Sequence, residues 1–232
     1  MGNQSHETPS LSHAYRALAA GDAVVVPNPA PLAYGVVATR ARAVNACKGR
    51  ALDQNVAASM HDRSEWERLA PEIDLPATVL RSVRALLELR LSLLLPLRDR
   101  MAHPDWFTPA VRDGNLAVFN GYWEPTATLW EAFPRLYGSS ANLTGQPPAA
   151  SAAEARAHFG PHQVVVDAGE STPTSGPRRS STMLRLDRAG GICLHRSGAQ
   201  DSASGLGAQA YLARLADRVG LSVSPVLAPR AK

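Results

Sequence analysis

The sequence predicts a single α/β or α+β domain built around one mixed sheet. Short runs of β-branched and aliphatic residues alternate irregularly with segments of helical periodicity, the pattern of one sheet flanked by helices. The 232 residues, 45% hydrophobic and 19% charged, are enough to bury a substantial core and are not the composition of a disordered chain. There is no internal repeat, and one large domain fits the length better than two small ones.

In order, Ser10 to Ala20 has apolar residues at Leu11, Ala14, Tyr15 and Leu18, with Ser10 placed to cap and Gly21 to end a first helix. Ala23 to Val26 reads as a buried strand stopped by Pro27-Asn28-Pro29, and Tyr34 to Ala38 as a second. A small helix from about Arg42 leads into Cys47-Lys48-Gly49-Arg50. Ser64 opens another helix, Ala77 to about Leu89 is amphipathic, and Leu91 to Leu95 is a strand or a continuing helix. Asn115 to Phe119 reads as a strand, Thr126 to Phe133 as a helix with Pro125 at its first position, and Arg135-Leu136-Tyr137 as the end of a strand. Ser151 to Phe159 is a short helix with Glu154 completing a capping-box pattern, followed by a strand over Gln163 to Asp167. Ala168 to Arg179 is an irregular Gly, Ser, Thr and Pro-rich loop. Ser181 to Leu186 and Ile192 to Arg196 form two strands around Asp187 to Gly191, and a last helix covers Ala208 to Val219 before a loosely held tail.

A formal charge of +4 favours anionic ligands such as a nucleotide triphosphate or RNA. Arginine supplies nearly all of it, since the lysines are Lys48 and Lys232 alone. Cys47 and Cys193 are far apart, which fits neither a disulfide framework nor a zinc site. The N-terminus lacks the apolar core of a signal peptide, and Leu86 to Leu97 is broken by Glu88, Arg90 and Pro96, so no membrane association and a cytoplasmic location are expected.

The stretch most able to face a ligand is Gly138 to Pro148, where hydroxyls, a carboxamide, glycines and prolines crowd into a loop. Ser140 and Asn142 point the same way if extended and offer donors and acceptors to an anionic or nucleotide-like group; the alternative is a polar turn capping the following helix. Lys48 and Arg50, on either side of Gly49, combine a point charge with a planar fork suited to phosphate or carboxylate, although such triplets also occur on solvated surfaces. Ser180-Ser181-Thr182 after Arg178 and Arg179 could hold a phosphate at a strand mouth or form an edge turn. His195-Arg196-Ser197-Gly198 ends the next strand, where Arg196 either reaches the same pocket or stays on the rim. No Walker pattern, dinucleotide Gly-x-Gly-x-x-Gly or histidine set with metal-ligand spacing is present, and no Ser-His-Asp set can be assigned.

Taken in order, these pieces resemble the YrdC-like family, whose best-known members are threonylcarbamoyl-AMP synthases. The resemblance rests on Val24-Val25-Val26-Pro27 followed by Tyr34-Gly35, on Lys48-Gly49-Arg50, on Ser140-Ala141-Asn142-Leu143-Thr144-Gly145-Gln146-Pro147, on Val164 to Gly169, on Ser181-Thr182-Met183-Leu184 and on Arg196-Ser197-Gly198. It implies an open twisted sheet curved around a basic concave cavity, and a nucleotidyltransferase reaction. In that reaction ATP, bicarbonate and L-threonine give threonylcarbamoyl-AMP and pyrophosphate for modification of a tRNA adenosine. On this analogy Lys48 and Arg50 are catalytic, neutralising the triphosphate and the carbonate or carbamate. Ser140 and Asn142 hold the nucleotide's phosphate side, Ser181 and Arg196 close it, and Pro27, Asn28 and Tyr34 line the substrate side. Magnesium arrives with ATP as part of the substrate, with no tightly bound metal or organic cofactor.

The chain also departs from the family. Pro27-Asn28-Pro29-Ala30 stands where the family has Pro-Thr-Glu-Thr, removing two hydroxyls and a carboxylate. Ala51 to Val56 replaces a proline and Pro-Leu after Lys-Gly-Arg, and Ala117-Val118-Phe119-Asn120 replaces a Val-Arg-x-Pro segment, so an arginine is missing. Three functions therefore stand: the synthase itself, another carbamoyl- or acyl-adenylate enzyme with a different small amine as acceptor, or a non-catalytic protein binding nucleotide, tRNA or double-stranded RNA. The expected organisation is a tail over 1–9, a YrdC-like domain over 10–200, and a C-terminal helix and tail over 201–232.

Overall fold

A computed structural model describes residues 11–99, 103–167 and 177–224. Its described residues form a ten-stranded mixed sheet in the order β10-β9-β4-β6-β3-β7-β2-β1-β8, with β5 also paired to β6. The strands are β1 (Val24–Val26), β2 (Gly35–Ala38), β3 (Ala57–Ser59), β4 (Ser92–Pro96), β5 (Val111–Arg112), β6 (Asn115–Phe119), β7 (Tyr137–Ser140), β8 (Val164–Val165), β9 (Met183–Leu186) and β10 (Ile192–Arg196). The pairs β1/β8, β3/β6 and β4/β9 are parallel, and the rest are antiparallel.

The helices are α1 (Leu11–Ala20), α2 (Ala41–Cys47), α3 (Arg63–Leu69), α4 (Ala77–Glu88), α5 (Ala127–Ala132), α6 (Ala152–Phe159), α7 (Ala199–Ala203) and α8 (Ala208–Val219). In α4, Val79, Val83, Leu86 and Leu87 fall on one stripe and are buried, which is the spacing a helix needs to cover a sheet. Strand register sorts the rest. Val25, Val36, Ala38, Tyr137, Ala58, Val118, Leu93 and Leu184 share one face, all buried, and α2, α4, α6 and α8 contribute side chains to the cores packed there. The opposite face is covered at one end, where Ala14 and Leu18 of α1 and Leu129 and Trp130 of α5 pack on Val24, Val26 and Val37. At the other end Leu94, Ala117, Met183 and Arg185 stand on that same face, half-exposed and outside all three hydrophobic clusters.

Several expectations change. Gly138, Ser139 and Ser140 belong to strand β7, not to a loop, because Gly138 pairs with Val37 on one side and Ala57 on the other. A Cβ at Gly138 would lie 2.5 Å from Cζ of Phe119, so only glycine lets that ring cover the strand. Strand β3 and helix α7 have no counterpart in the sequence pattern. The cap of α3 is Asp62, which accepts from the N–H groups of Ser64 and Glu65, and Pro125 sits in a 3₁₀ turn (Glu124–Thr126) before α5. Ser151 accepts from Glu154 N, but the Glu154 carboxylate takes the N–H of Ala150, one residue earlier than a standard capping box. The start of the tail is not loose: Ile192 N donates to Ser222 O, Ser224 N donates to Ile192 O, and Ser224 Oγ donates to Asp187. Of the expected loop from Ala168 to Arg179, residues 168–176 lie outside the described residues.

Candidate functional site

Helix α2 ends on Lys48, whose side chain runs inward and is 4% exposed. Its ammonium donates to the backbone oxygen of Ser140, to the backbone oxygen of Asn142 at 2.6 Å and to Oδ1 of Asn142 at 3.0 Å. An ammonium has three N–H donors, and all three are in use. The Ser140 hydroxyl donates to the same Oδ1 at 2.6 Å, while the Asn142 amide nitrogen closes the turn on the carbonyls of Leu143 and Gln146. Two motifs more than ninety residues apart thus form one hydrogen-bonded unit, the end of β7 being held by the end of α2. Burial, with the charge of Arg50 nearby, brings the Lys48 pKa down to about 8.

Arg50 donates from Nε to Oδ1 of Asn45 at 2.7 Å and more weakly to the carbonyl of Asn55. The fully buried Asn45 also donates to the carbonyls of Leu52 and Gln54, so one asparagine folds the α2–β3 turn and fixes the guanidinium. Nothing in the local pattern around Asn45 signals this role, because its partners are backbone groups of the turn itself.

On the β1–β2 hairpin, Pro27 is buried and Asn28 is half-buried, its amide donating to Ala33 O at 2.8 Å. Tyr34 is 6% exposed and packs with Val36 and Ala152, burial raising its phenol pKa. Its backbone carbonyl receives the N–H of Ala141, and Gly35 pairs with Ser140, so the hairpin abuts the lysine-bound turn. The Ala30–Pro31 peptide is cis.

Residues 178–182 cross from this hairpin to β4 as a strap. Arg178 donates to the carbonyls of Asn28 and Leu32, and Arg179 bridges backbone to backbone with Pro31 and Ala33. At the other end the Ser181 hydroxyl meets that of Ser92 at 2.5 Å, and Arg196 donates to Ser181 O at 3.1 Å. Behind the strap lies a buried centre absent from the sequence reading. Asp201 of α7 accepts from Thr182 Oγ1 at 2.5 Å, from Gly198 N at 2.7 Å and from the Ser197 hydroxyl. Burial pushes its carboxyl pKa up, but the hydrogen bonds from Ser197, Thr182 and Gly198 outweigh that and hold it below the ordinary value. A Cβ on Gly198 would come within 2.5 Å of Ser180 O and of the Ser181 carbonyl carbon, so the strap runs directly over that glycine. The spacing Ser197-Gly198-x-x-Asp201 is the one signal that could have marked the centre, as a helix-start pattern.

The structure therefore brings Lys48, Ser140 and Asn142 together and joins Ser181 to Arg196. Tyr34 borders the first group through its carbonyl bond to Ala141 N, Asn28 bonds within the hairpin and to Arg178 rather than to that group, and Arg50 stands beside Lys48.

A mixed sheet carrying a lysine-held Ser-x-Asn turn and a strap across its open end defines a class as well as a site. The chain belongs to the Sua5/YciO/YrdC family, described as telomere recombination, whose model matches residues 16–198. Among solved structures it is similar to a variant of P. abyssi Sua5 at 21% identity and a TM-score of 0.59, covering 85% of this chain and 60% of that one. P. abyssi Sua5 complexed with L-threonine gives 19% identity and a TM-score of 0.58, over 85% and 57%. E. coli YciO gives 13% identity and a TM-score of 0.60, over 84% and 92%. The chain thus spans about three fifths of the Sua5 proteins it matches, and at these identities the likeness establishes the fold. No curated protein sequence matches it.

Proposed function

We propose that the protein is an adenylate-forming nucleotidyltransferase of the threonylcarbamoyl-AMP synthase type, using ATP with Mg2+, bicarbonate and L-threonine, with a tRNA adenosine as the eventual acceptor of the product. The observation that carries this reading is the Lys48 ammonium bound to Ser140 and Asn142, which joins two of the family's motifs into one positively charged unit. In the reaction the threonine amine forms a C–N bond to bicarbonate carbon with loss of water. A carbamate oxygen then attacks the α-phosphorus and pyrophosphate leaves. Charge grows on the phosphoryl oxygens, and preorganised cations in a desolvated setting are suited to stabilise it. On this reading Lys48 contributes its field and the shape of the turn, its donors being already engaged, and the substrate contact is assigned to Arg50, whose Nε bond to Asn45 steadies the guanidinium. On the same reading Ser181 of the strap and Arg196 of β10, which donates to Ser181 O, close the site.

A second reading is an adenylate-forming enzyme with a different amine acceptor. Asn28 favours it, because its amide is tied to Ala33 O where the family carries hydroxyl and carboxylate side chains. Pyrophosphate release measured across amino acids, with and without bicarbonate, tests both. Release that needs threonine and bicarbonate supports the first, and release with another amine supports the second. No release with any amine overturns both and leaves a nucleotide- or RNA-binding protein.

A further inference from the structure

Helix α2 ends by returning the chain onto its own last turn. Gly49 takes φ +59°, and the N–H groups of Gly49 and Arg50 donate to the carbonyls of Ala46 and Asn45 at 3.0 and 3.2 Å. This is the Schellman arrangement, in which a left-handed residue follows the helix. It sets Arg50 over Asn45, so that the two residues meet twice: Arg50 N on the Asn45 carbonyl, and Arg50 Nε on Asn45 Oδ1 at 2.7 Å. The residues that follow, Ala51 to Asn55, are all exposed and include no proline, so neither packing nor a fixed φ holds them. Hydrogen bonds do. The Asn45 amide donates to Leu52 O at 2.9 Å and to Gln54 O at 2.7 Å, Gln54 N donates to Ala51 O, and Asn55 Nδ2 donates to Val111 O at 2.6 Å.

Asn45 is 0% exposed, and its two amide hydrogens and its side-chain oxygen are all in use. An aspartate there would keep the acceptor for Arg50 but set a carboxylate oxygen against two carbonyls. The guanidinium of Arg50 has five N–H donors. Nε is taken, and one hydrogen of Nη2 leans on Asn55 O at 3.4 Å. Among the described residues Nη1 has no partner and Arg50 forms no ion pair. The free donors therefore lie at the Nη1–Nη2 end of the fork, which fits two oxygens of a carboxylate-like anion or of a phosphoryl group. A long side chain tethered at Nε by a buried acceptor has given up much of its rotamer freedom before a ligand arrives, so less is lost on binding.

We propose that Asn45 is a positioning residue of the site: it presents the Nη1–Nη2 end of Arg50 to an anionic ligand and, through the same amide, keeps the exposed 51–55 turn in one shape. That the anion is a carbamate or a phosphoryl group of ATP rests on the adenylate-forming reading; the coupling of Asn45 to Arg50 does not. A double-mutant cycle tests it, by calorimetric titration of the full chain with ATP and Mg2+ on the wild type, Asn45→Ala, Arg50→Gln and Asn45→Ala/Arg50→Gln. Asn45→Ala is expected to weaken ATP binding about tenfold when Arg50 is present and by less than about twofold when it is replaced. An equal loss in both backgrounds makes Asn45 purely structural and overturns the proposal, as does unchanged affinity in Asn45→Ala or a wild type that does not bind ATP. Should Asn45→Ala not fold, Asn45→Ser carries the same cycle, its hydroxyl being too short to reach both the guanidinium and the turn. A loss of ATP binding that depends on Arg50, in a protein that releases no pyrophosphate with any amine, supports the positioning role while removing the enzymatic reading. Where pyrophosphate is released, kcat/KM is expected to show the same non-additivity, and additive losses there overturn the role while leaving the enzymatic reading intact.

Discussion

At Lys48 a charged side chain is almost wholly buried, with three oxygens arranged around its ammonium. Lys48→Ala removes the donor to the Asn142 carbonyl and one of the two donors to Ser140 O and to Asn142 Oδ1, and is expected to cost about 2–3 kcal/mol of stability and at least about tenfold in ATP affinity. Lys48→Arg should restore neither, because a planar guanidinium does not match three converging acceptors. The pKa near 8 separates two pH effects. Above about pH 8 the folded protein loses this positive charge, so nucleotide affinity falls, by up to about tenfold per pH unit. Between there and 10.5 the unfolded chain still holds the proton that the folded chain has released, so this group makes stability rise with pH. Titration calorimetry and denaturant midpoints over pH 7 to 10 should thus move in opposite directions, and parallel trends would contradict the assignment. Gly198 is the other sensitive residue. Gly198→Ala drives a methyl group into the backbone of the strap, for an expected loss of about 2 kcal/mol and ~4–8 °C in Tm.

At the scale of elements, α7 is held to the strap by Asp201 rather than by an apolar stripe. Asp201→Ala should unpin both, at about 2–3 kcal/mol, and expose the strap to hydrogen exchange while α4 stays protected. The Asp201 carboxyl is held below its ordinary pKa of 3.8, so its contribution is full at neutral pH and disappears as pH falls through the folded value. A mid-transition shift to lower denaturant on acidification, absent in the Asp201→Ala protein, would confirm it. This difference in how elements are held explains which of them the sequence discloses. Helices α4 and α8 carry 3.6-residue apolar stripes and β10 a bounded apolar run, and all are visible from pattern alone. Strand β3, Ala57-Ala58-Ser59, has no β-branched residue and is a strand because β6 and β7 flank it. Likewise Lys48, Ser140 and Asn142 were legible as motifs. The buried Asn45 and Asp201 that hold the α2–β3 turn and the strap act through backbone partners or across long sequence separations, which local pattern does not record.

Among the described residues, helices cover one face of the sheet, while the other is covered by α1 and α5 at one end and left half-exposed at the other. C-terminal helix α8 belongs to the main core through Leu212, Leu215 and Ala216, so Leu215→Ala should cost about 2–4 kcal/mol in thermal or denaturant unfolding. Alternation along β9 shows Arg185 opposite to Leu184 and Leu186, but only the register of the assembled sheet says that its side is the open one. None of the described helices is long and apolar enough to cross a membrane. Lysine is otherwise so scarce that Lys48 becomes a chemical reporter: the other lysine, Lys232, lies outside the described residues. An amine-acylating reagent can modify Lys48 only when the turn at Ser140–Asn142 lets go of it. Its rate of labelling, read by peptide mass, is therefore a direct clock for the opening of that turn and for any slowing of it by a bound nucleotide.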